Sequence, residues 1–590
     1  MATRIAHGWR LVLASALLAA TAGAHAAGTL DATFVNGERA NLVALRYPAL
    51  AVSADGRIAL SATQWSGSFG QFRTAEVALF DGAGQLQQVF GEEGITKFFG
   101  QSADAVAFDS LGRVLLAGAR LSGAYGASTA RLRADGRASA TYANGAPGVV
   151  PPSRLGSAFA IALDRNSRIV IGGSTAFAGG GVTAGPLDFR PAIARLDAHG
   201  VDDPGFGTGG QVVLDRPGVV RAMALDTRGG IVLAFGSALV PAIETKTLMR
   251  LNEDGTPDPQ FGSGGETIIA DAIVAAGDAN GRMLVIAERG DSPPSTRLYR
   301  YVDGRLDPSF GTGGEVLLPR QYNALATGPD GAIYAGIAGT VNQTATLRVL
   351  RIRNDGAIDT TYGSQGEAVA SFPYDAPGIA APSLAVDAQG RLVVAALRYH
   401  GDRGSEIALT TVVLYRFTSD TPAMPSTATA IEYRHAAFDH YFVTADADEI
   451  TKLDANPGSG WARTGESFAV QAQAKGDGMP VCRFWSGATF APLSSHFYTP
   501  YPGECDAVES GPAWAFEKIA FFLTMPTGAG QGNGTCPSGT VPLYRAYNAM
   551  RGGAPNHRYT TRTASLDAMI AQGWIMEGEA NTRVFACVPA

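Results

Sequence analysis

The chain consists largely of short apolar stretches, four to eight residues long, separated by turns rich in Asp, Gly and Asn. One pattern recurs seven times: an apolar stretch, an Asp/Gly turn and a second apolar stretch, as in LAVSADGRIALSA and LAVDAQGRLVVAA. The positions directly after the seven turns are Arg57, Arg113, Arg168, Gly230, Arg282, Ala332 and Arg391. Helical periodicity is absent from this region. The pattern therefore predicts β-strands joined by tight turns, in a mainly β fold.

Each repeat contains a second element after this pattern. A strand such as MRLNEDG leads into an Asp-rich loop such as LDPSFGTGG, and a last short strand such as EVLL follows. A period of roughly 50 to 62 residues with about four strands suits one blade of a β-propeller. In the loop, Pro fixes one φ angle, the glycines allow positive φ, and Phe is expected to pack between strands.

These loops resemble those of the delta-60 repeat family of bacterial β-propellers. The match covers roughly residues 28–420 and is clearest at Leu306 to Gly314 and at Asp258 to Gly265. The resemblance implies a propeller fold and no particular activity.

The two ends of the repeat region are complementary. The seventh repeat stops after VVLYRFTSD without an Asp-rich loop, whereas GTLDATFVNG and NLVALRY stand at the beginning of the region. We therefore expect residues 28–47 to supply the outer strand of the blade that contains Leu392 and Leu414. Such N-terminal strand closure removes two open sheet edges and gives a seven-bladed β-propeller over residues 27–417.

Residues 1–26 have the features of a signal peptide. Arg4, His7 and Arg10 form a basic start, Leu11 to Leu18 is a short apolar run, and AHA at residues 24–26 fits a small-x-small cleavage site. The apolar run is shorter than the 20 or so residues of a membrane-spanning helix, and no later segment qualifies. We expect an exported protein without a membrane span, in the periplasm, at the cell surface or in the medium.

Residues 418–429 are rich in Pro, Ser and Thr and are predicted to be a linker. Three similar units follow in residues 430–590. Each has a strand with Arg, a strand that ends in Thr (HYFVT, SHFYT, NHRYT), a short helix-like stretch and a strand with Trp. This region resembles a bacterial repeat module, domain of unknown function 5648, over about residues 430–588. We expect a small, three-repeat, β-rich domain with short helices.

All four cysteines lie in this C-terminal region, at Cys482, Cys505, Cys536 and Cys587. An even number of cysteines in one exported domain indicates disulfides, and the close C-x2-C pairs that zinc prefers do not occur. Cys482 and Cys505 lie inside the second unit, and Cys536 and Cys587 bracket the third. We expect these two pairings, although four cysteines allow three.

Candidate ligand-binding residues recur in the three units, on the Arg-containing strands and three residues before each closing Thr. They are Arg434, Arg483, Arg545, Tyr441, His496 and His557. Aromatic faces pack on sugar rings and Arg supplies hydrogen-bond donors, which would give three small pockets for sugar or another envelope ligand. The other interpretation is that the repeated aromatic residues form the core, while Arg and His satisfy strand ends.

No G-x-S-x-G, H-E-x-x-H or phosphate-binding loop motif occurs, and the repeated Asp positions coincide with turns. We predict no catalytic residue, no metal site and no cofactor. The net charge of −7 and the lack of a basic patch argue against a nucleic-acid partner.

The first hypothesis for function is an exported, non-enzymatic binding or interaction protein that recognises glycan or cell-envelope components. One alternative is a secreted hydrolase or lyase that uses acidic residues in the propeller channel. The other is a purely structural surface protein.

Overall fold

The computed structural model describes residues 27–43, 48–66, 72–120, 126–143, 155–175, 189–226, 228–236, 244–290, 295–341, 344–373, 378–400, 409–420, 427–472, 478–530 and 532–590. The predicted signal peptide, residues 1–26, lies outside these ranges. Among the described residues, no helix is long and apolar enough to cross a membrane.

The described residues between 27 and 420 form propeller-like antiparallel sheets, as the alternation of apolar stretches and turns predicts. In chain order, the first strands are β1 (Gly37–Val43), β2 (Ala49–Val52), β3 (Ile58–Ser66), β4 (Phe72–Phe80), β5 (Ile95–Phe99), β6 (Ala105–Phe108), β7 (Val114–Arg120), β8 (Gly126–Leu132), β9 (Ser157–Leu163), β10 (Ile169–Ser174), β11 (Pro191–Leu196) and β12 (Gln211–Val213). The next strands are β13 (Val219–Leu225), β14 (Ile231–Gly236), β15 (Glu244–Leu251), β16 (Glu266–Gly277), β17 (Met283–Arg289), β18 (Ser295–Val302), β19 (Arg305–Leu306), β20 (Glu315–Leu317), β21 (Ala324–Thr327), β22 (Ile333–Val341), β23 (Thr344–Ile352), β24 (Glu367–Pro373), β25 (Gly378–Val386), β26 (Leu392–His400) and β27 (Leu409–Phe417).

Most of these sheets are meanders of consecutive strands: β2 to β5, β6 to β8, β9 to β12 and β21 to β24. Strands β13 to β20 form one eight-stranded sheet because β16 pairs with β15 through its first half and with β17 through its second half. The two halves of β16 meet at Ala272, where the register shifts and the preceding Asp271 has a positive φ of 51°. This bend joins two strands that the repeat pattern predicts as separate.

The first strands of successive repeats contact one another in sequence. Strand β2 contacts β6, β6 contacts β9, β9 contacts β13, β13 contacts β16, β16 contacts β21, β21 contacts β25, and β25 contacts β2. Buried apolar side chains fill the spaces between neighbouring sheets. For example, Leu60 of β3 and Val412 of β27 belong to one cluster between the first and last sheets.

The N-terminal segment joins the last sheet, as the complementary ends of the repeat region predict. Strand β1 pairs antiparallel with β27, with Gly37 opposite Leu414, in a sheet of order β1-β27-β26-β25. Asp31 accepts a hydrogen bond from the buried Arg416, with 2.9 Å between Oδ2 and Nε. Residues 44–47 of the predicted segment lie outside the described residues.

The Asp-rich loops have a repeated packing function. In four repeats, the Arg of the third strand pairs with the Asp of the loop: Arg195 with Asp203, Arg250 with Asp258, Arg300 with Asp307, and Arg351 with Asp359. The loop aromatic is buried under the same Arg, as expected for the Phe. The Arg300 guanidinium lies 4.4 Å from the ring centre of Phe310.

The C-terminal module begins with strand β28 at Thr427, so the last three residues of the predicted linker belong to this strand. Its strands are β28 (Thr427–His435), β29 (His440–Thr444), β30 (Trp461–Gln471), β31 (Met479–Trp485), β32 (His496–Thr499), β33 (Ala515–Leu523), β34 (Thr540–Tyr547), β35 (His557–Thr560), β36 (Ile575–Glu577) and β37 (Ala586–Pro589). Its helices are α1 (Ala447–Ala455), α2 (Pro502–Glu509) and α3 (Thr563–Ala571), with short 3-10 turns at Pro457–Ser459, Gly487–Phe490 and Arg551–Gly553.

Side chains from all three units build one common core in this module. Tyr433 and Val443 of the first unit, Tyr498 of the second, and Tyr559 and Phe585 of the third belong to the same buried cluster. The expected disulfides are both present, Cys482–Cys505 and Cys536–Cys587.

The module packs on the propeller-like part through its second unit. Arg113, just before β7, donates to Glu509 of α2 with 2.9 Å between Nη2 and Oε1, and its Nη1 lies 3.3 Å from Asp506. The buried Leu111 packs in a cluster that contains both Cys482 and Cys505.

The contact involves a loop position at which the second repeat has no acidic residue. In four other repeats an Asp at this position pairs with the third-strand Arg, whereas the second repeat has Ser139, eight residues after Arg131. The Ser139 hydroxyl donates instead to Asp506 of the module, 3.1 Å away. Helix α2 therefore places a carboxylate beside Ser139. The first repeat also contributes to the docking, because the Arg57 guanidinium lies 5.7 Å from the ring centre of Phe522 in β33.

Candidate functional site

Strand register defines which positions of the three units are equivalent. Arg483 lies opposite Tyr498, and Arg545 lies opposite Tyr559, in each case directly before the closing Thr. In the first unit the residue at this register position is Glu432.

Arg434, which the sequence repeats align with Arg483 and Arg545, lies two residues beyond Glu432. Its half-exposed side chain pairs with Asp439, with 2.8 Å between Nη2 and Oδ1. Arg434 lies opposite Tyr441 in the first unit. The equivalent pairs are Trp485 with His496 in the second unit and Tyr547 with His557 in the third. Arg434 is therefore the register equivalent of Trp485 and Tyr547.

A charged cluster forms where the first unit meets the second. Helix α1 of the first unit presents Glu449 to Arg483 of the second, in a two-pronged contact of 2.8 and 2.9 Å. The Thr444 hydroxyl donates to the same carboxylate at 2.6 Å. Since the two partners come from different units, the site lies between units rather than within one.

The second unit completes this cluster with Glu517 and His496. Arg483 donates to Glu517 with 2.8 Å between Nε and Oε2, and His496 Nε2 lies 3.3 Å from the same oxygen. The Phe442 ring packs against both, with its centre 5.2 Å from the Arg483 guanidinium and 4.6 Å from the imidazole. The guanidinium and imidazole therefore both contact the Phe442 ring and the Glu517 carboxylate.

These residues line a pocket of about 290 Å³ at the junction between the first two units. Its lining consists of Phe442, Glu449, Lys452, Leu453, Trp461, Arg483, His496 and Glu517. One wall is apolar and aromatic, and the other is a connected set of hydrogen-bonding groups. The volume lies near the lower end of the range for small-molecule sites.

The two carboxylates in the pocket remain ionised at neutral pH. Burial by itself would raise the pKa of Glu449, but hydrogen bonds from Arg483, Lys518 and Thr444 hold this pKa far below its usual value. Burial also opposes ionisation of Glu517, and here the interactions with His496 and Arg483 lower the pKa. The polar wall therefore carries fixed charges that are already paired.

The junction between the second and third units repeats this arrangement but is filled. Helix α2 presents Glu504 to Arg545 at 3.0 and 3.1 Å. His557 lies between Phe497, with ring centres 4.9 Å apart, and Tyr547, which stacks on it at 4.8 Å and 16°. The Tyr547 ring covers the imidazole that corresponds to His496.

Burial and the neighbouring Arg545 charge lower the pKa of His557 to about 3, whereas an unfolded chain binds this proton near pH 6.5. The unfolded state therefore holds more protons between these pH values, and acid favours unfolding. We expect this histidine to remove about 1.4 kcal/mol of module stability per pH unit as the pH falls through that window. Urea unfolding of the His557→Phe variant, followed from pH 7 to pH 4, should show a flatter dependence than the parent. Equal slopes would contradict this expectation.

The junction between the third and first units has inverted charges. The buried Glu432 accepts two hydrogen bonds of 3.0 Å from Arg558, whose guanidinium lies 4.6 Å from the ring centre of Tyr441. Helix α3 has Ser565 where the other helices have Glu, and its hydroxyl donates to Glu466 at 2.9 Å. All three junctions contain ion pairs, but at the junction with Tyr441 the strand residue is the acid, Glu432, and its partner is Arg558.

The structure thus separates the six candidate residues. Arg483 and His496 line the pocket at the first junction. Arg545 and His557 lie buried at the second junction, and Tyr441 lies at the third. Arg434 lies opposite Tyr441, but its side chain is exposed and pairs with Asp439.

Sequence reasoning missed the acidic partners of the arginines. A repeat signal existed, because Glu449 follows Thr444 by five residues, as Glu504 follows Thr499, while Ser565 holds this position in the third unit. The spacing alone could not reveal that each Glu reaches into the next unit. Within the described part of the chain, no group of three or more His, Cys, Asp or Glu side chains could hold a metal ion.

Comparisons with known proteins agree with the two-part organisation. Residues 433–584 match the family described as domain of unknown function (DUF5648), and residues 328–362 match the domain of unknown function (DUF5122) beta-propeller. The matches support a propeller-type repeat and the C-terminal module. No curated protein matches this chain.

Solved structures with a likeness to this chain have low identity to it. A protein of unknown function from Dyadobacter fermentans is 13% identical, with a TM-score of 0.34, over 65% of this chain and 99% of its own. The polysaccharide lyase Uly1 is 10% identical, with a TM-score of 0.35, over 65% of this chain and 92% of its own. At these scores neither likeness bears on the activity of this chain.

Proposed function

We propose that residues 27–417 form a closed, seven-bladed ring that carries the C-terminal module as a ligand-binding domain. The circular order of contacts from β2 through β25 and back to β2 supports closure. The pairing of β1 with β27 supports an N-terminal strand in the last blade. In this arrangement the propeller is a rigid support, and helix α2 fixes the module to its second blade.

We propose further that the protein is an exported binding protein that recognises a saccharide of the cell envelope or its surroundings. The observation that carries this proposal is the pocket of about 290 Å³ in which Trp461 and Phe442 face the Arg483, Glu449, Glu517 and His496 cluster. Aromatic rings pack on the C–H faces of sugars, and fixed carboxylate, guanidinium and imidazole groups bind hydroxyls. Two disulfides fit an exported protein.

The charge balance of the pocket favours an uncharged saccharide. Its charged lining consists of two carboxylates, Glu449 and Glu517, and two cations, Arg483 and Lys452. Arg483 is already bound by both carboxylates, so an anionic ligand would have to compete with them. A neutral polyhydroxy ring can accept from and donate to these groups without breaking the ion pairs.

The propeller offers less support for a hydrolase or lyase that uses its acidic residues. Asp164 accepts hydrogen bonds from two backbone amides of its own turn and from Arg168. Asp278 and Asp387 repeat this arrangement with Arg282 and Arg391. Such carboxylates hold turns together and are not available as acid–base pairs.

Binding of soluble oligosaccharides to the full-length mature protein tests this function. We expect the tetramers of glucose or of N-acetylglucosamine to bind, and Trp461→Ala to lower the affinity at least about tenfold in calorimetry. Lys452→Glu tests the charge argument at an exposed position of the pocket lining, where the substitution should not disturb the fold. It should lower the affinity for a uronic-acid tetramer more than the affinity for a neutral tetramer. Phe99→Ala, on an exposed propeller strand, is the control.

Three outcomes would contradict the proposal. Preference for the uronic-acid tetramer would refute an uncharged ligand. New reducing ends or unsaturated sugars in the incubated mixture would support the enzymatic alternative. Absence of binding to all the tetramers and to isolated cell-wall polymers would leave the structural alternative.

A further inference from the structure

Trp485 is exposed although it lies beside the pocket. The side chain is 42% accessible, and within the described chain it stacks on no other ring. It lies directly opposite His496 in the pairing of β31 with β32. Opposite residues in an antiparallel pair point to the same face of the sheet, with Cβ atoms about 4.5–5.5 Å apart. Trp485 therefore stands next to the imidazole that lines the pocket.

The third unit shows the same position in a closed arrangement. Tyr547 is the register equivalent of Trp485, because it lies opposite His557 as Trp485 lies opposite His496. Tyr547 is stacked on its histidine, with ring centres 4.8 Å apart and an interplanar angle of 16°. The second and third units thus differ at this position. The aromatic ring is exposed to solvent in the second unit and stacked on the histidine in the third.

The pocket occurs where the aromatic ring is turned away. At the first junction the space beside His496 is part of the 290 Å³ pocket, whereas at the second junction the equivalent histidine is enclosed by Phe497 and Tyr547. His557 is accordingly more buried than His496. The exposed indole beside His496 is therefore free to contact a ligand in this pocket, which the stacked Tyr547 ring at the second junction is not.

We propose that Trp485 is a binding residue that closes over the saccharide ring bound beside His496. The closed position corresponds to that of Tyr547 over His557, with the sugar between the indole and the floor formed by Phe442 and Trp461. Rotation about the side-chain bonds of Trp485 suffices, and no backbone change is needed, since the strand register is the same in both units. This inference rests on the proposed function and adds the residue that closes the site.

The ligand class follows from this geometry. An aromatic ring on each side of the pocket fits a flat, ring-shaped group with two C–H faces, while Glu449, Arg483 and Glu517 reach hydroxyls at its edge. A pyranose ring of an uncharged hexose or N-acetylhexosamine has this shape. A linear peptide or a phosphate group would gain little from the second aromatic ring.

The test uses full-length mature protein and the tetramers of glucose and N-acetylglucosamine. Trp485→Ala should lower the affinity for the bound tetramer by about five- to tenfold with only a small change in the unfolding midpoint, because this side chain is 42% accessible in the free protein. Trp485→Tyr should restore most of the affinity. Phe99→Ala, which removes a more exposed aromatic side chain elsewhere, should have no effect.

Iodide quenching of tryptophan emission provides a second readout. The parent protein should lose part of its quenching when the tetramer is added. Trp485→Phe should lose less, because the tetramer then covers Trp461 of the pocket but no indole at position 485. Unchanged affinity of Trp485→Ala, together with loss of binding by Trp461→Ala, would refute the closure and leave the pocket standing. Absence of binding by the parent protein would overturn both proposals.

Discussion

Removal of residues 28–43 is expected to destabilise the propeller more than any single substitution outside its core. The deletion exposes the edge of β27, which β1 otherwise covers from Gly37 onward. It also leaves Arg416 buried without its partner Asp31, and removal of one partner of a buried ion pair costs about 3–5 kcal/mol. Phe34, whose ring lies 4.5 Å from the Arg416 guanidinium, would be lost as well.

Chemical unfolding of the full-length and truncated chains measures this loss, and Asp31→Asn isolates the ion pair. Asp203→Asn is the matched control, because it breaks the equivalent pair with Arg195 inside one repeat rather than between the two ends of the repeat region. Both substitutions should lower the unfolding midpoint. Only Asp31→Asn should also make the N-terminal segment sensitive to limited proteolysis. An unchanged midpoint after deletion would refute the role of this segment in closing the ring.

The second large effect is expected from the disulfides. Cys536–Cys587 closes a loop of 51 residues and Cys482–Cys505 a loop of 23. Restriction of the unfolded chain then contributes about 4 and about 3 kcal/mol, respectively. We expect the double serine variant at 536 and 587 to lower module stability more than the one at 482 and 505.

The two variants should differ in a second respect. Cys482 and Cys505 lie in the cluster that receives Leu111 of the propeller, whereas Cys536 and Cys587 lie outside this cluster. Loss of the first bond should therefore also separate the unfolding transitions of the propeller and the module in calorimetry. Once the two transitions are separate, as in the variant at 482 and 505, the transition of the propeller should keep its midpoint in reductant, because residues 27–417 contain no cysteine. If reductant shifted the propeller transition in the same direction in both double serine variants, the result would contradict the assignment of that transition to the cysteine-free residues 27–417.

The contact between the propeller-like part and the module is built from paired charges. Arg113 holds Asp109 of its own turn and two carboxylates of helix α2 at once. Burial of charged groups in this contact is tolerable because each charge has an opposite partner. The pocket at the first junction and the docking contact both use the second unit, but Arg113, Asp506 and Glu509 of the docking contact do not line that pocket.

Local patterns in the sequence were sufficient to predict the β-sheets and turns of both parts. Apolar stretches of strand length, Asp-Gly turns and the Asp-rich loops act over a few residues, so they appear in sequence as repeats. The complementary ends of the repeat region likewise predicted that the N-terminal segment pairs with β27. The disulfide pairs were predictable because each lies in or around one repeat unit.

Tertiary structure alone decided where the candidate site lies. Glu449 and Arg483 are 34 residues apart and belong to different units, so their contact depends on how helix α1 packs on the next unit. The sequence repeats aligned Arg434 with Arg483, but the register between β28 and β29 puts Glu432 at that position and reverses the charge of the third junction. Likewise, no local pattern distinguishes Trp485 from Tyr547. One ring is exposed and the other is stacked because packing between units, which is a long-range property, leaves space at one junction and fills the other.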